Sequence, residues 1–241
     1  MTPLERIRIE KAAADCGFER EAVLKEQGQL ELRSATFPEV VSVQVATPFG
    51  YQLSASLPNL LPAASGDGQV LLDGIEQLYQ MLQQVAATAR TMPNRVADQF
   101  RTKTQSLPKT TEAERMVVQR VGQDLFRSAL LDYWQGRCSV SGLAVPSLLR
   151  ASHIKPWAKC ASDNERLDVF NGLLLAPHLD ALFDGGWISF SDQGGMLVSK
   201  HLSADARTQL GINSAWSIQG MKSSHMGYLA HHREHEFRQS G

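Results

Sequence analysis

Apolar residues recur at helical spacing in three stretches of the chain. Between 3 and 27, Leu4, Ile7, Ala12, Ala13, Cys16, Val23 and Leu24 fall at intervals near three and four, with a break at Gly17 and an end at Gly28. That pattern predicts one broken helix or two short ones. Val70, Leu71, Ile75, Leu78, Met81, Leu82 and Val85 predict a second helix over 70–90. The third is amphipathic and runs over 112–134: Met116, Val117, Val121, Leu125, Phe126, Leu130 and Leu131 form its stripe, with Arg115, Arg120, Gln123 and Arg127 interspersed. A period of two replaces this spacing at Val41, Val43 and Val45 and again in Y-Q-L-S-A-S-L from 51, on either side of T-P-F-G at 47–50. A β-hairpin is the simplest reading. Residues 58–68, P-N-L-L-P-A-A-S-G-D-G, are punctuated as a loop.

These elements predict an α+β protein. Residues 1–90 read as a small α/β domain with a hairpin, 112–241 as a second domain. Residues 91–111 join them as a linker, since they carry two prolines and lack a sustained apolar face.

Composition narrows the function by exclusion. A hydrophobic content of 43% over 241 residues supports packed cores and rules out global disorder. Lys plus Arg number 24 against 25 Asp plus Glu, so polyanion binding requires a local patch. The stretch from Arg115 to Arg166 has that bias, with eight basic residues against Asp124, Asp132, Asp163 and Glu165; residues 167–192 then hold four Asp and no base. A basic stretch feeding a carboxylate cluster fits a phosphate-tracking surface beside a cation site, although a solvated face has the same composition. No window is apolar enough for a membrane helix and the N-terminus is charged, so the expected location is the cytoplasm and no membrane partner is expected. Cys16, Cys138 and Cys160 form neither a C-x-x-C pair nor an even set, which points to reduced thiols.

Candidate chemistry is concentrated in three motifs. G-R-C-S-V-S-G-L spans 136–143, S-L-L-R-A-S-H-I-K-P-W spans 147–157, and F-N-G-L-L-L-A-P-H-L-D-A-L-F-D-G-G spans 170–186. The second delivers His153 from an apolar run into a Lys-Pro-Trp turn. The third places Asn171 before a Leu173–Leu175 strand and then His178, Asp180 and Asp184 at a helix start. Asp180 and Asp184 are four apart and share a helical face. Trp157 reads as a packing anchor behind Pro156, Cys138 and Cys160 as small buried hydrophobes, and the histidine-rich tail at 225–237 as a solvated C-terminal helix.

Taken in order over about 115–190, these motifs resemble the HNH endonucleases, with their ββα-metal (His-Me) finger: C-x-x-[ST]-G, then H-I-x-P-W, then N-G-L-x-L…D-x-L-F-D. The resemblance implies a metal-dependent endonuclease hydrolysing DNA phosphodiesters, with His153 as general base and Asn171 orienting it. It implies one Mg²⁺ or Mn²⁺ per site, held by Asp180 first, with His178 and Asp184 as alternative ligands. Ser152 stands where the wider family often has a metal ligand, which leaves the ligand set open. Ala176 and Leu179 stand where many relatives carry zinc-binding cysteines, so no structural zinc is expected, and no small-molecule cofactor. Arg127, Arg150, Lys155, Lys159 and Arg166 are the candidate DNA contacts. Double-stranded DNA is the expected partner, and a homodimer would supply the two nicks of a double-strand break.

Residues 1–90 lie outside the resemblance, and a restriction-type or modification-dependent enzyme would use them to select its target. There, Phe49 and Tyr51 beside Arg33 are candidates for base contact, though hairpin packing explains them equally well. Two rivals remain: a DNA-binding or regulatory module without catalysis, and an RNase or nuclease toxin.

Overall fold

A computed structural model of the chain describes residues 1–46, 50–57, 60, 61, 68–108 and 110–238. It divides into two compact units, Met1–Arg90 and Thr91–Gly241. The architecture is α+β.

The first unit opens with α1 (Pro3–Asp15), started by a capping box in which Thr2 Oγ1 accepts from the Glu5 N–H and Glu5 accepts from the Thr2 N–H. Gly17 then adopts φ +97° and stops the helix. Val23 and Leu24 therefore lie on strand β1 (Arg20–Leu24) and not on a second helical turn, a correction to the sequence reading. β2 (Leu30–Arg33), β3 (Val41–Ala46), β4 (Gly50–Ala55) and β5 (Gln69–Asp73) follow, and the five strands form one antiparallel meander in chain order. The hairpin read from the sequence is β3–β4, in register from Val41↔Ala55 to Ala46↔Gly50. The turn at 47–49, with Phe49, lies outside the described residues, as do 58, 59 and 62–67 of the loop. Helix α2 (Gly74–Arg90) buries Leu78, Leu82, Val85 and Ala89. The predicted helix over 70–90 is thus a strand and then a helix: Val70, Leu71 and Leu72 pair with Leu53, Gln52 and Tyr51 of β4, which leaves Leu71 74% exposed and Leu72 only 5%. Tyr51 is buried, and Arg33 Nη2 donates to the Glu21 carbonyl at 3.2 Å. Both serve the sheet.

The second unit begins where a linker was expected. Helix α3 (Pro93–Thr104) buries Val96, Ala97 and Phe100 in the unit's hydrophobic cluster. An i, i+1, i+4 set is a narrow stripe, too short to stand out among charged neighbours. Helix α4 (Glu112–Tyr133) starts at a Thr111/Glu114 capping box and ends before Gln135 and Gly136, both at positive φ. Its stripe is buried at Phe126, Ala129, Leu130 and Tyr133, whereas Met116 and Val117 are exposed. Then come β6 (Arg150–His153), a short α5 (Asp163–Arg166), β7 (Gly172–Leu175) and α6 (Pro177–Asp184). β6 and β7 pair antiparallel and α6 follows β7 at once, so the three form a ββα unit. A second hairpin, β8 (Ile188–Phe190) with β9 (Met196–Val198), precedes α7 (Ala204–Gln209) and α8 (Met226–His235).

The tail is not a merely solvated helix. Leu229 and His232 of α8 are buried; the His232 ring stacks on Phe183 at 3.9 Å, and its nitrogens bond Ser189 Oγ at 2.9 Å and the Phe183 carbonyl at 3.1 Å. Histidine spacing alone does not reveal that its partners, Phe183 and Ser189, come from α6 and β8. No described helix is long and apolar enough to cross a membrane.

Candidate functional site

Strand β6 is short because its partner is. Its register, Arg150↔Leu175 to His153↔Gly172, sets Ser152 opposite Leu173 and ends at the residue that carries the imidazole. Alternation buries Ser152 and leaves His153 on the other face, only partly covered. His153 Nε2 lies 2.8 Å from the Arg166 carbonyl. A carbonyl only accepts, so Nε2 carries the proton and, in the neutral ring, Nδ1 is left with a lone pair. Burial lowers the pKa of His153, and the Arg166 carbonyl partly opposes the shift. The ring stacks on Phe126 at 3.9 Å and 16° and meets Trp157 edge-on at 5.6 Å.

Asn171 is fully buried and its side-chain hydrogen bonds run to the loop after β6. Oδ1 accepts from the Lys155 N–H at 2.7 Å; Nδ2 donates to the carbonyls of Lys155 and Glu165, both at 3.2 Å, and to Cys160 Sγ at 3.4 Å. Its own carbonyl accepts from the Ile154 N–H at 3.0 Å. The amide thereby ties both ends of the 154–166 loop to β7, and with them the carbonyl on which His153 is hung. Arg166 braces the same loop, donating to the carbonyls of Trp157 at 3.3 Å and Cys160 at 2.8 Å and pairing with Asp163 at 3.1 Å. Lys155 and Glu165 close it with an ion pair at 2.6 Å. Burial works against the Glu165 carboxylate, but the Lys155 bond and the Ala161 N–H keep its pKa below the usual range.

Asp180 sits one turn into α6, across from the buried face of β6. Burial raises its pKa, the Ser152 hydroxyl and Arg150 pull it down, and Asp184 pushes it up. Ser152 Oγ is buried and has no hydrogen bond of ordinary geometry. Asp180 thus shares its surroundings with two further oxygen donors, the Ser152 hydroxyl and the Asp184 carboxylate one helical turn on. Such a set suits Mg²⁺ or Mn²⁺, which take one or two carboxylates and keep waters in their remaining positions. His178 is two residues from Asp180, about 200° round the helix. Among the described residues no three His, Cys, Asp or Glu side chains cluster closely enough to form a metal site by themselves.

The structure thus brings His153 together with Arg166 and the loop held by Asn171, and sets Asp180 near Ser152, Arg150 and Asp184. Of the five candidate DNA contacts, four hold intramolecular partners. Arg127 donates to the carbonyls of Leu149 at 2.6 Å and Pro146 at 3.0 Å, Lys155 and Arg166 brace the loop as above, and Lys159 pairs with Glu236 at 2.5 Å. Arg150 is exposed. Sequence reasoning missed Phe126, Glu165 and Cys160 as parts of the site. Phe126 was visible only as one member of a stripe, and Glu165 is ten residues from Lys155, a spacing that signals nothing.

Comparison with known proteins agrees with this geometry: residues 138–191 match the HNH endonuclease family, and the match contains β6, β7 and α6 entire. No curated protein matches the chain.

Proposed function

We propose that this chain, whose residues 138–191 belong to the HNH endonuclease family, is a divalent-metal-dependent endonuclease hydrolysing DNA. The observation that carries this reading is the single hydrogen bond from His153 Nε2 to the Arg166 carbonyl. It commits the neutral ring to one tautomer and reserves Nδ1 for a proton from water, which is what a general base needs. In that reaction the water oxygen forms a bond to phosphorus, its proton passes to Nδ1, and the bond from phosphorus to the 3′ oxygen breaks. Asn171 and Arg166 orient the base through the loop they hold. Asp180, with Asp184 beside it, would hold the Mg²⁺ or Mn²⁺. When bound, the cation supplies Lewis-acid stabilisation of the charge on the scissile phosphate and the departing 3′ oxygen.

Arg150, exposed at the start of β6, is the side chain best placed to meet a phosphate, and such contacts carry no sequence information. Target selection is accordingly assigned to residues 1–90, in keeping with a restriction-type or modification-dependent enzyme, and cleavage of both strands to two copies of the chain.

Nicking of supercoiled plasmid in Mg²⁺ or Mn²⁺ tests the reading, with methylated and unmethylated DNA compared. Wild type should nick, and His153→Ala should lose about 10²–10⁴-fold in rate while still binding DNA. Binding without nicking by wild type would favour a catalytically silent module, a reading that Ser152 at a usual ligand position supports. Preference for RNA would redirect it to the ribonucleases.

A further inference from the structure

The family match begins at residue 138, yet both rings that fix the plane of His153 are seated on helix α4, which lies before it. Phe126, on α4, stacks on the imidazole at 3.9 Å and 16°; Trp157 closes one edge at 5.6 Å and 88°. Each occupies a space that only glycine leaves open. A Cβ on Gly172 would stand 2.6 Å from Phe126 Cζ, and one on Gly122 would stand 2.6 Å from Trp157 Cη2. Neither glycine has positive φ, so the missing side chain matters here and the backbone freedom does not. Gly172 is also the cross-strand partner of His153. Phe126 therefore reaches the imidazole through the gap that Gly172 leaves beside it. Gly122 and Phe126 are four apart and share one face of α4. A glycine inside a helix is less favourable than alanine; the Trp157 seat is kept against the preference of the helix itself.

We propose that α4 is part of the catalytic unit and that Phe126 is a positioning residue for His153. Its ring lies flat on the imidazole and prevents rotation about the bond to Cβ. That keeps Nε2–H on the Arg166 carbonyl and Nδ1 in one direction. Phe126 touches no substrate atom; it acts through the histidine. The inference rests on His153 being the base and extends the site beyond the matched segment.

The test uses the full chain with Phe126→Leu and Phe126→Met, which keep apolar volume and lose the plane, and Leu202→Ala as a packing control elsewhere in the same core. Nicking is measured well below each variant's melting temperature. Both Phe126 variants should lose about 10- to 100-fold in kcat with KM within about twofold, whereas Leu202→Ala should lose stability and keep kcat. In parallel, ¹⁵N spectra of the His153 ring at mildly alkaline pH, assigned with His153→Gln, should show the Nε2–H tautomer in wild type and a tautomer mixture in Phe126→Leu. Unchanged ring spectra overturn the proposal, as does a kcat loss no larger than that of Leu202→Ala. A wild type that does not nick would refute the nuclease reading, and the ring spectra would still decide the positioning role.

Discussion

Asn171→Ala removes a side chain whose four hydrogen bonds all go to the 155–165 loop, and its cost can be worked from them. The Lys155 N–H loses an acceptor at 2.7 Å, the Lys155 and Glu165 carbonyls each lose a donor at 3.2 Å, and Cys160 Sγ loses a donor at 3.4 Å. Leaving one buried N–H unpaired costs about 1–3 kcal/mol, and the two carbonyl bonds add about 1 kcal/mol each, for a total of roughly 3–5 kcal/mol. In a unit of this size, that lowers the melting temperature by roughly 6–20 °C. The functional loss should be larger than the unfolded fraction explains, because the same loop carries the Arg166 carbonyl that orients His153. A shift of about 1 Å in that carbonyl costs on the order of 10²-fold in rate. Guanidinium denaturation and plasmid nicking at a temperature where the variant is folded measure the two effects separately. An Asn171→Ala protein that is as stable as wild type, or that nicks at the wild-type rate, would refute the assignment of the amide as the brace of this loop.

Three further outcomes are expected. Burial lowers the His153 pKa below its ordinary value and the reaction needs the neutral ring, so the acid limb of the kcat/KM profile should lie below pH 6.5; an acid limb centred above that value contradicts the role. His225 and His232 are pushed down to about 4 by burial, so as pH falls from about 6.5 the unfolded chain takes up protons before the folded one. Each should withdraw about 2 kcal/mol of stability by pH 5, read by denaturation at pH 7 and pH 5, and equal stability at both would count against the buried placement of these rings. Asp180→Asn keeps the volume and removes the charge; it should abolish Mg²⁺-dependent nicking with little loss of stability, and chelation of wild type followed by added Mg²⁺ should switch activity off and on.

The chain alone determined the ββα finger and the places of His153, Asn171 and Asp180 in it. His153, Asn171 and Asp180 stand at fixed offsets in one continuous stretch, and a ββα unit is built from local contacts, so the order of motifs is nearly the order of elements. The 112–134 helix was legible for a related reason: it carries a long apolar stripe, and a capping threonine at 111 and a glycine at 136 bound it in the same stretch of chain. The hairpin at 41–55 was legible from its alternation. What eluded the sequence has the opposite character. Residues 70–73 are a strand because β4 offers them an edge, not because their own spacing demands it. Residues 93–104 are a helix because three small-interval apolar side chains find a core elsewhere in the unit. Only the tertiary structure decided which carbonyl receives the His153 proton and which ring lies over the imidazole, and it showed that four of five candidate DNA-binding side chains are already engaged. Apart from Arg166, whose partners lie 3 to 9 residues away, those outcomes depend on groups brought together across 10 to 77 residues of chain. Contacts of that range leave no periodicity behind, since their partners are chosen by packing and by the need of buried polar groups to be paired.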